Sequence, residues 1–215
     1  AKSINCERGV TVSPCDNCNI CNEITGGYSV DVIEIDGASN RGIDEIRELR
    51  ENVKFASAKC RYKVYIIDEV HMLTEFAFNA LLKTLEEPPS FVVFVLATTD
   101  PQKVPWTIVS RCQHFHFNRI EPMDIENKLK SIVENDNIKV QDGVLNIISK
   151  SVDGSMRDAL TVLDQLIVKG HGEVKHEDVN ILLGIIKIDF LIEITDSIIN
   201  KNVDDAFKIM DKIVS

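Results

Sequence analysis

Two stretches in the first half of the chain are continuously apolar and rich in β-branched and aromatic residues. They run from Val64 to Ile67 and from Phe91 to Ala97. An apolar run without alternation favours a strand buried on both faces, as in a parallel sheet covered by helices. Residues 29–36 alternate well enough to form another strand, and residues 113–117 predict a short one. These patterns predict an α/β domain.

Apolar positions at helical spacing predict helices between these strands, one after Gly42 and one from Thr74 or Glu75 to the prolines at 88 and 89. From Pro122 onwards the pattern is helical throughout. The predicted helices cover 122–136, 141–152, 154–169 and 176–183, and two amphipathic helices follow a break at 184–189. We therefore expect an α/β core at 1–121, a small all-helical domain at 122–184 and the beginning of another helical domain at 185–215.

Both apolar runs end in polar residues that could form one site. Asp68 and Glu69 follow the first run, and Thr98 and Thr99 follow the second. Ligands of parallel sheets bind outside the carboxyl ends of the strands. Adjacent acids there suit magnesium–nucleotide chemistry, because one carboxylate can hold the water shell of the ion and the other can polarise an attacking water. The alternative is a pair of core strands that run into ordinary polar turns.

Four cysteines lie close together near the start of the chain, at Cys6, Cys15, Cys18 and Cys21. Two overlapping Cys-x-x-Cys pairs bring thiolates to one ion, and the fourth cysteine completes a tetrahedral structural zinc site at 6–21. The alternatives are disulfides, which a reducing cytosol disfavours, or scattered free thiols, which the clustering disfavours. A closed site of four sulfurs leaves no open position for catalysis.

Composition limits the classes of function. The 215 residues are 44% hydrophobic and 27% charged, with a net charge of −10, which is ordinary for a soluble globular protein but not for an autonomous nucleic-acid binder. Any DNA contact would need a local basic patch. No apolar stretch approaches membrane-spanning length and no leader opens the chain, so we expect a cytoplasmic protein with no membrane partner.

Three motifs identify a family resemblance. They are residues 78–89 with the sequence FNALLKTLEEPP, residues 96–100 with LATTD, and residues 110–112 with SRC. In this order and spacing they resemble the AAA+ ATPases of DNA clamp loaders, the family that contains the gamma/tau subunits of bacterial DNA polymerase III. The similarity extends over essentially the whole chain. It implies an AAA+ P-loop-type core with a zinc module, a helical lid at 122–184, and the start of a helical oligomerisation domain at 185–215.

The resemblance implies a role for each candidate residue at the nucleotide. Asp68 would hold magnesium, Glu69 would activate water, and Thr99 or Thr98 would sense the γ-phosphate. Arg157 would be a second sensor on the lid, although a cation in the first turn of a helix opposes the helix dipole. Arg111 of the SRC motif would reach the nucleotide of a neighbouring subunit, since its permanent charge and forked donors match phosphate oxygens.

The resemblance also implies partners. These are the other subunits of a hetero-oligomeric ring, the sliding clamp and primer-template DNA, within the DNA-directed DNA polymerase complex, a nucleotidyltransferase. Arg41 and Lys83 are candidates for contacts with the DNA backbone. The ordinary alternative is that both are solvated surface residues.

One motif of the family is absent from this sequence. No Gly-x-x-x-x-Gly-Lys-Ser/Thr loop occurs, so we expect a chain truncated at its start, a parent that binds Mg²⁺ and hydrolyses ATP, and a fragment that is inactive alone. Two other functions stay open. One is a scaffold subunit that binds no nucleotide and contributes only Arg111 to a neighbour. The other is a zinc-dependent nucleic-acid-binding module.

Overall fold

The computed structural model describes residues 1–39, 42–170, 173–184 and 188–214. The chain divides into two compact units, 1–115 and 116–215. The helices and strands of the first unit are α1 (Lys2–Asn5), α2 (Asn19–Thr25), β1 (Val32–Asp36), α3 (Ile43–Val53), β2 (Lys63–Asp68), α4 (Glu75–Glu86), β3 (Val92–Leu96) and α5 (Trp106–Val109). Among the described residues, no helix is both long enough and apolar enough to cross a bilayer.

The first unit is built on a parallel sheet with the strand order β1-β2-β3. Its register places Asp36 beside Asp68, and Ile67 beside Leu96, so the three strands end together. Tyr65 of β2 is buried and stacks on Phe94 with 5.5 Å between ring centroids. The buried faces of α3 and α4 cover this side of the sheet, with Ile46, Leu49, Val53, Ala77, Phe78 and Leu81 in the core. The apolar runs therefore form the central strand and one outer strand of the sheet. The prediction of burial on both faces is wrong for β3, because Val95 is 43% exposed.

Local sequence explains where α4 begins and ends. Thr74 is its N-cap and accepts a hydrogen bond from the Ala77 amide at 3.3 Å. The helix ends at Glu86, just before Pro88, because the residue that precedes a proline is disfavoured in the helical conformation. The prediction of a helix from Thr74 or Glu75 to this point is confirmed.

β1 is shorter than the predicted strand at 29–36, and Asp31 explains the difference. The Asp31 side chain is buried and accepts hydrogen bonds from the backbone amides of Ala58, Lys59 and Cys60 at 2.7, 2.7 and 2.8 Å. The carboxylate therefore fixes the loop before β2 against the start of β1. Burial by itself would raise the pKa of Asp31, but these backbone hydrogen bonds outweigh burial and lower it.

The second unit is helical. Its elements are α6 (Pro122–Asn135), β4 (Lys139–Val140), α7 (Val144–Ser151), α8 (Met156–Lys169), β5 (Glu173–Val174), α9 (His176–Leu183), α10 (Ile188–Ile199) and α11 (Val203–Val214). Ile125, Leu129, Ile148, Leu163 and Leu166 are among its fully buried core residues. The pairing of β4 with β5 is a two-residue parallel contact that the helical pattern does not predict.

Three further predicted elements differ from the structure. The helix predicted at 141–152 extends only from Val144 to Ser151. Residues 113–117 form no strand, and Phe115 and Phe117 are 77% and 90% exposed. A strand requires a neighbour for its backbone hydrogen bonds, and no strand in the described part of the chain pairs with this segment. Helix α8 begins at Met156 rather than at Gly154. Gly154 has φ +83° and lies so close to Arg119 that a Cβ would stand 2.5 Å from the Arg119 Cβ.

Candidate functional site

The ends of the three strands form the candidate nucleotide site. Asp68 is the last residue of β2 and is exposed. The Gly37 amide, just beyond β1, donates to the Asp68 carbonyl oxygen at 2.8 Å. A Cβ at Gly37 would lie 2.7 Å from the Glu69 carbonyl oxygen, so only glycine permits this approach. On the other side the Val70 amide donates to the Ala97 carbonyl at 2.9 Å, which joins the ends of β2 and β3.

Glu69 has an unusual backbone conformation at this point. Its φ and ψ are 46° and 44°, in the left-handed region, and a 3-10 turn at Val70–Met72 follows directly. A residue with a Cβ pays about 1–2 kcal/mol for this conformation. Such strained residues persist where surrounding contacts fix them, and they cluster at functional sites.

Two side chains lie against the carboxylate of Glu69. The Thr99 hydroxyl donates to Oε2 at 3.0 Å, and His71 Nδ1 lies 3.2 Å from the same oxygen. The Thr98 hydroxyl oxygen lies 2.9 Å from His71 Nδ1 and accepts a hydrogen bond from the Asp100 amide at 3.0 Å. Of the two threonines, therefore, Thr99 contacts the acid directly, and Thr98 contacts the histidine and the turn.

His71 is the residue of this site that sequence reasoning missed. Its side chain is 9% exposed, and it links the acid after β2 to the threonine after β3. The available signal was a histidine two positions after Glu69, within the turn that follows a buried strand. Asp100 closes the site on the β3 side, where the hydrogen bond from Lys103 lowers the pKa of its carboxyl.

The structure places the remaining candidates of the first unit elsewhere. Arg111 follows α5, and its Nη2 donates to a carboxylate oxygen of Glu86 at 2.7 Å. Lys83 is exposed on α4, where it lines a groove of about 380 Å³ with Arg50 and Lys54 of the α3 end. Both residues are exposed, and neither has a described contact with the cluster around Glu69.

Arg157 belongs to the second unit, where its exposed side chain lies in the first turn of α8. Ser155 is the N-cap of that helix and accepts from the Asp158 amide at 3.3 Å. Arg41 lies outside the described residues.

The four cysteines of the predicted zinc module converge. Their sulfur atoms all lie within 4.8 Å of one another, and none forms a disulfide. Zn–S bonds of about 2.3 Å place tetrahedral sulfurs about 3.8 Å apart, so small adjustments would complete the coordination. The Cys18 amide donates to Cys15 Sγ at 3.3 Å, and the Cys21 amide donates to Cys18 Sγ at 3.4 Å. The cluster is compatible with zinc.

Acid strength differs sharply within this cluster. Backbone hydrogen bonds, led by that of Asn17, lower the pKa of Cys15 to about 6. Burial raises the pKa of Cys21 to about 12. A bound dication would favour the thiolate form of each cysteine, because the charge of the ion replaces the solvation that burial removes.

The cysteine module is attached to the rest of the first unit by polar contacts. The side chain of Asn5 donates to the Tyr62 carbonyl at 2.9 Å and accepts from the Tyr62 amide at 2.8 Å. Arg61 donates to the Ile4 carbonyl at 2.7 Å, and Lys59 pairs with Glu23 at 2.8 Å. All of these contacts reach the segment before β2, the strand that ends in Asp68.

The architecture defines the class of protein. A parallel sheet with polar residues at its strand ends, followed by a helical unit, is the AAA+ arrangement. The RuvB Holliday junction branch migration motor of Thermotoga maritima has a similar fold, with a TM-score of 0.60 at 16% sequence identity, covering 82% of this chain and 62% of that one. At this identity the similarity concerns the fold alone.

Sequence comparison defines the family. The family model described as DNA polymerase III, delta subunit, matches residues 1–121, and the model for the DNA polymerase III clamp loader subunit, ATPase lid domain, matches residues 124–172. The chain belongs to the family of DNA polymerase III clamp-loader subunits. This confirms the resemblance identified from the three motifs.

Relatives of this family align along most of the chain. DNA polymerase III subunit tau of Bacillus subtilis is 48% identical over 214 residues, and subunit tau of Escherichia coli is 45% identical over 202. DNA polymerase III subunit gamma of Buchnera aphidicola subsp. Acyrthosiphon pisum is 44% identical over 215 residues. The alignments cover 100%, 94% and 100% of this chain, which spans 38%, 31% and 60% of the respective relatives.

Proposed function

We propose that the full-length protein is an ATPase subunit of a DNA clamp loader, which couples ATP binding and hydrolysis to the loading of a sliding clamp on primed DNA in the cytoplasm. One observation carries the proposal. Asp68, Glu69 and Thr99, from the ends of two neighbouring strands, lie in one hydrogen-bonded cluster. Family membership supports the same function.

Each group of the cluster has a distinct chemical role in this proposal. Asp68 accepts the Glu69 amide on Oδ1 at 2.9 Å and would hold magnesium through the rest of its carboxylate. The ion supplies positive charge against the charge that develops on the transferred phosphoryl group. Glu69 would orient the attacking water. Both described contacts of its side chain use Oε2, which leaves Oε1 to accept a hydrogen bond from that water. Thr99 would sense the γ-phosphate.

Two arginines would act on nucleotide from outside the strand-end cluster. Arg111 would complete the nucleotide site of a neighbouring subunit, and its exposure supports this role because an exposed arginine can reach another chain. Its ion pair with Glu86 is also exposed, so it would contribute at most about 1 kcal/mol and would not prevent release. Arg157 would sense nucleotide from the lid.

The zinc module and the basic residues would serve assembly and DNA binding. The four cysteines would hold one structural Zn²⁺, which would fix a segment too short to fold by itself. Lys83 and Arg41 would contact the DNA backbone. The groove around Lys83 supports its role only weakly, because its three cations, Lys83, Arg50 and Lys54, face two acids, Glu51 and Glu87.

The function is tested with the full-length protein assembled with its partner subunits. We expect ATP hydrolysis that rises when sliding clamp and primed DNA are added, together with transfer of the clamp to DNA. A rate of hydrolysis that changes with neither addition would contradict a clamp-loading role. A ring in which this subunit binds no ATP would instead indicate a scaffold subunit, and DNA binding by residues 1–30 alone would indicate a zinc-dependent nucleic-acid module.

A further inference from the structure

We propose that His71 is a positioning residue for Glu69. By holding Oε2 of the Glu69 carboxylate, it directs Oε1 towards the attacking water. The inference rests on the proposed ATPase function, and it adds to that function a residue that acts through Glu69 rather than on the nucleotide.

The geometry around the carboxylate carries the proposal. Glu69 has a left-handed backbone, so its side chain leaves the end of β2 in a direction that ordinary strand geometry does not give. Without support, such a flexible side chain would sample several rotamers. His71 Nδ1 lies 3.2 Å from Oε2 and the Thr99 hydroxyl donates to it at 3.0 Å, so two groups from different strand ends approach one oxygen.

His71 is itself held in place. Its side chain is 9% exposed, and Nδ1 also lies 2.9 Å from Thr98 Oγ1, which in turn accepts from the Asp100 amide at 3.0 Å. The imidazole therefore connects the acid after β2 to the turn after β3. Because water is largely excluded from the ring, loss of this contact would leave Thr99 as the only described donor to the Glu69 carboxylate.

The described hydrogen bond of Nδ1 is with Thr98, so a role in holding Oε2 requires a particular ring nitrogen to carry the proton. An ionised carboxylate only accepts hydrogen bonds, so Nδ1 must be a donor if it holds Oε2. The competing arrangement has Thr98 donating to an unprotonated Nδ1, and the lone pair of Nδ1 would then face Oε2. The proposal therefore predicts the Nδ1-protonated form, a property that can be measured without any nucleotide.

Three substitutions separate positioning from packing. His71→Asn keeps an amide donor close to the former position of Nδ1, since both groups are attached to Cγ. His71→Gln moves its donor one bond further, and His71→Leu removes it. His116→Gln is the matched control, because His116 is exposed. Thermal unfolding of each variant checks that the fold is retained.

The kinetic measurement uses the full-length protein in its assembled ring. We expect His71→Leu and His71→Gln to lower kcat by about 10- to 100-fold, with ATP affinity changed by less than about 2-fold, because a misplaced water-orienting group affects the reaction more than binding. His71→Asn should stay within about 3-fold of the unsubstituted protein. Equal kcat losses in the Asn and Leu variants would overturn the proposal, as would losses no larger than that of His116→Gln.

The second measurement needs no activity. Long-range ¹H–¹⁵N spectra of the 215-residue chain labelled in histidine report the tautomer of His71, whose signals are identified by their absence in His71→Asn. We expect the Nδ1-protonated form, with a reduced share in Glu69→Ala, where the acceptor is gone. A dominant form protonated only at Nε2 would overturn the proposal. If the ring hydrolyses no ATP at all, the proposed function fails, whereas the spectra still test the contact.

Discussion

The cysteine cluster draws its four ligands from positions 6 to 21, whereas the strand-end site joins Glu69 to Thr99, thirty positions away. Cys6 directly follows α1, and Cys18 and Cys21 lie at the start of α2. These short helices have little apolar core of their own, so we expect a bound ion to supply much of the order of the cluster. The strand-end site, in contrast, depends on the fold of the sheet. Its groups meet because parallel strands end in register over a packed core. One site should therefore depend on metal, and the other on the sheet.

Removal of the metal should have the largest effect, and it should disorder the cysteine cluster without disrupting the sheet. Structural zinc contributes on the order of 10–16 kcal/mol of apparent binding free energy in small metal-dependent domains. We expect about one zinc per chain in the purified protein, and loss of that zinc in Cys21→Ser. Hydrogen exchange over 6–21 should then accelerate, while protection of β2 persists.

Cys112→Ser is the control for this substitution, because Cys112 packs against the core of the sheet and lies outside the cluster. It should keep the zinc content of the unsubstituted chain. Equal zinc content in Cys21→Ser, measured by elemental analysis, would contradict the assignment of the ligands. Loss of protection in β2 as well would show that the two sites are not independent.

The second effect in size concerns Arg111. In phosphoryl transfer, an arginine supplied by a neighbour contributes about 10³–10⁵ in rate. We expect Arg111→Ala to leave ATP affinity in the same subunit nearly unchanged and to suppress turnover in the adjacent one. The measurement is ATP turnover in mixed rings, in which one subunit carries Arg111→Ala and its neighbour carries Glu69→Gln.

Glu86→Gln is the matched control, since it removes the described ion-pair partner of Arg111 but retains the arginine. It should preserve turnover at the neighbouring site. If Arg111→Ala lowers turnover only in its own subunit, the arginine acts within its own chain and the trans assignment is wrong.

The third effect concerns the contribution of Asp31 to the stability of the first unit. Asp31→Ala would leave three backbone amides, those of Ala58, Lys59 and Cys60, without their acceptor. The hydrogen bond from Cys60 is buried and the other two are partly buried. An unsatisfied buried group costs about 1–3 kcal/mol, so we expect a loss of about 2–3 kcal/mol in the free energy of unfolding. Chemical denaturation measures it, with the exposed Asp124→Ala as the comparison. A change no larger than that of the control would contradict the anchoring role.

Asp31 should also make the free energy of unfolding depend on pH. The pKa of Asp31 is lower in the folded chain than the unfolded value of about 3.9. Its stabilisation should therefore be complete above about pH 4 and should decline as the pH falls through the folded pKa. In Asp31→Ala this component of the acid transition should be absent, which parallel denaturation curves at several pH values would detect.

The smallest effect concerns DNA. If Lys83 contacts one phosphate, Lys83→Ala in the assembled loader should weaken primer-template binding similarly for all sequences and reduce the salt slope by about one. Lys169→Ala, an exposed lysine of the second unit, is the control and should leave the slope unchanged. A changed base preference with an unaltered slope would contradict a backbone contact.

The sequence predicted the parts of this molecule in which local pattern determines structure. The apolar runs gave β2 and β3, the cap at Thr74 gave the start of α4, and the clustered cysteines predicted the converging sulfurs. It also indicated that Asp68, Glu69 and the two threonines share an edge, because parallel strands end together.

The remaining features depend on contacts that a local pattern does not contain. The left-handed backbone of Glu69 and the link through His71 arise from the meeting of two strand ends, and the burial of Asp31 arises from a loop twenty-seven positions away. Residues 113–117 have a strand-like composition, but composition does not supply a neighbouring strand. Thus the grouping of these strand-end residues was predictable, whereas the orientation of their side chains was not.

The most direct test of the account is the hydrolysis step itself. A single-turnover measurement compares the full-length ring with a ring that carries Glu69→Gln in this subunit, at saturating ATP. If Glu69 orients the attacking water, ATP binding should remain within about 2-fold and the rate should fall by about 10²–10⁴-fold, the range for loss of a positioned general base. An unchanged rate of hydrolysis at sites that bind ATP normally would contradict the assignment of the strand-end cluster as the hydrolytic site.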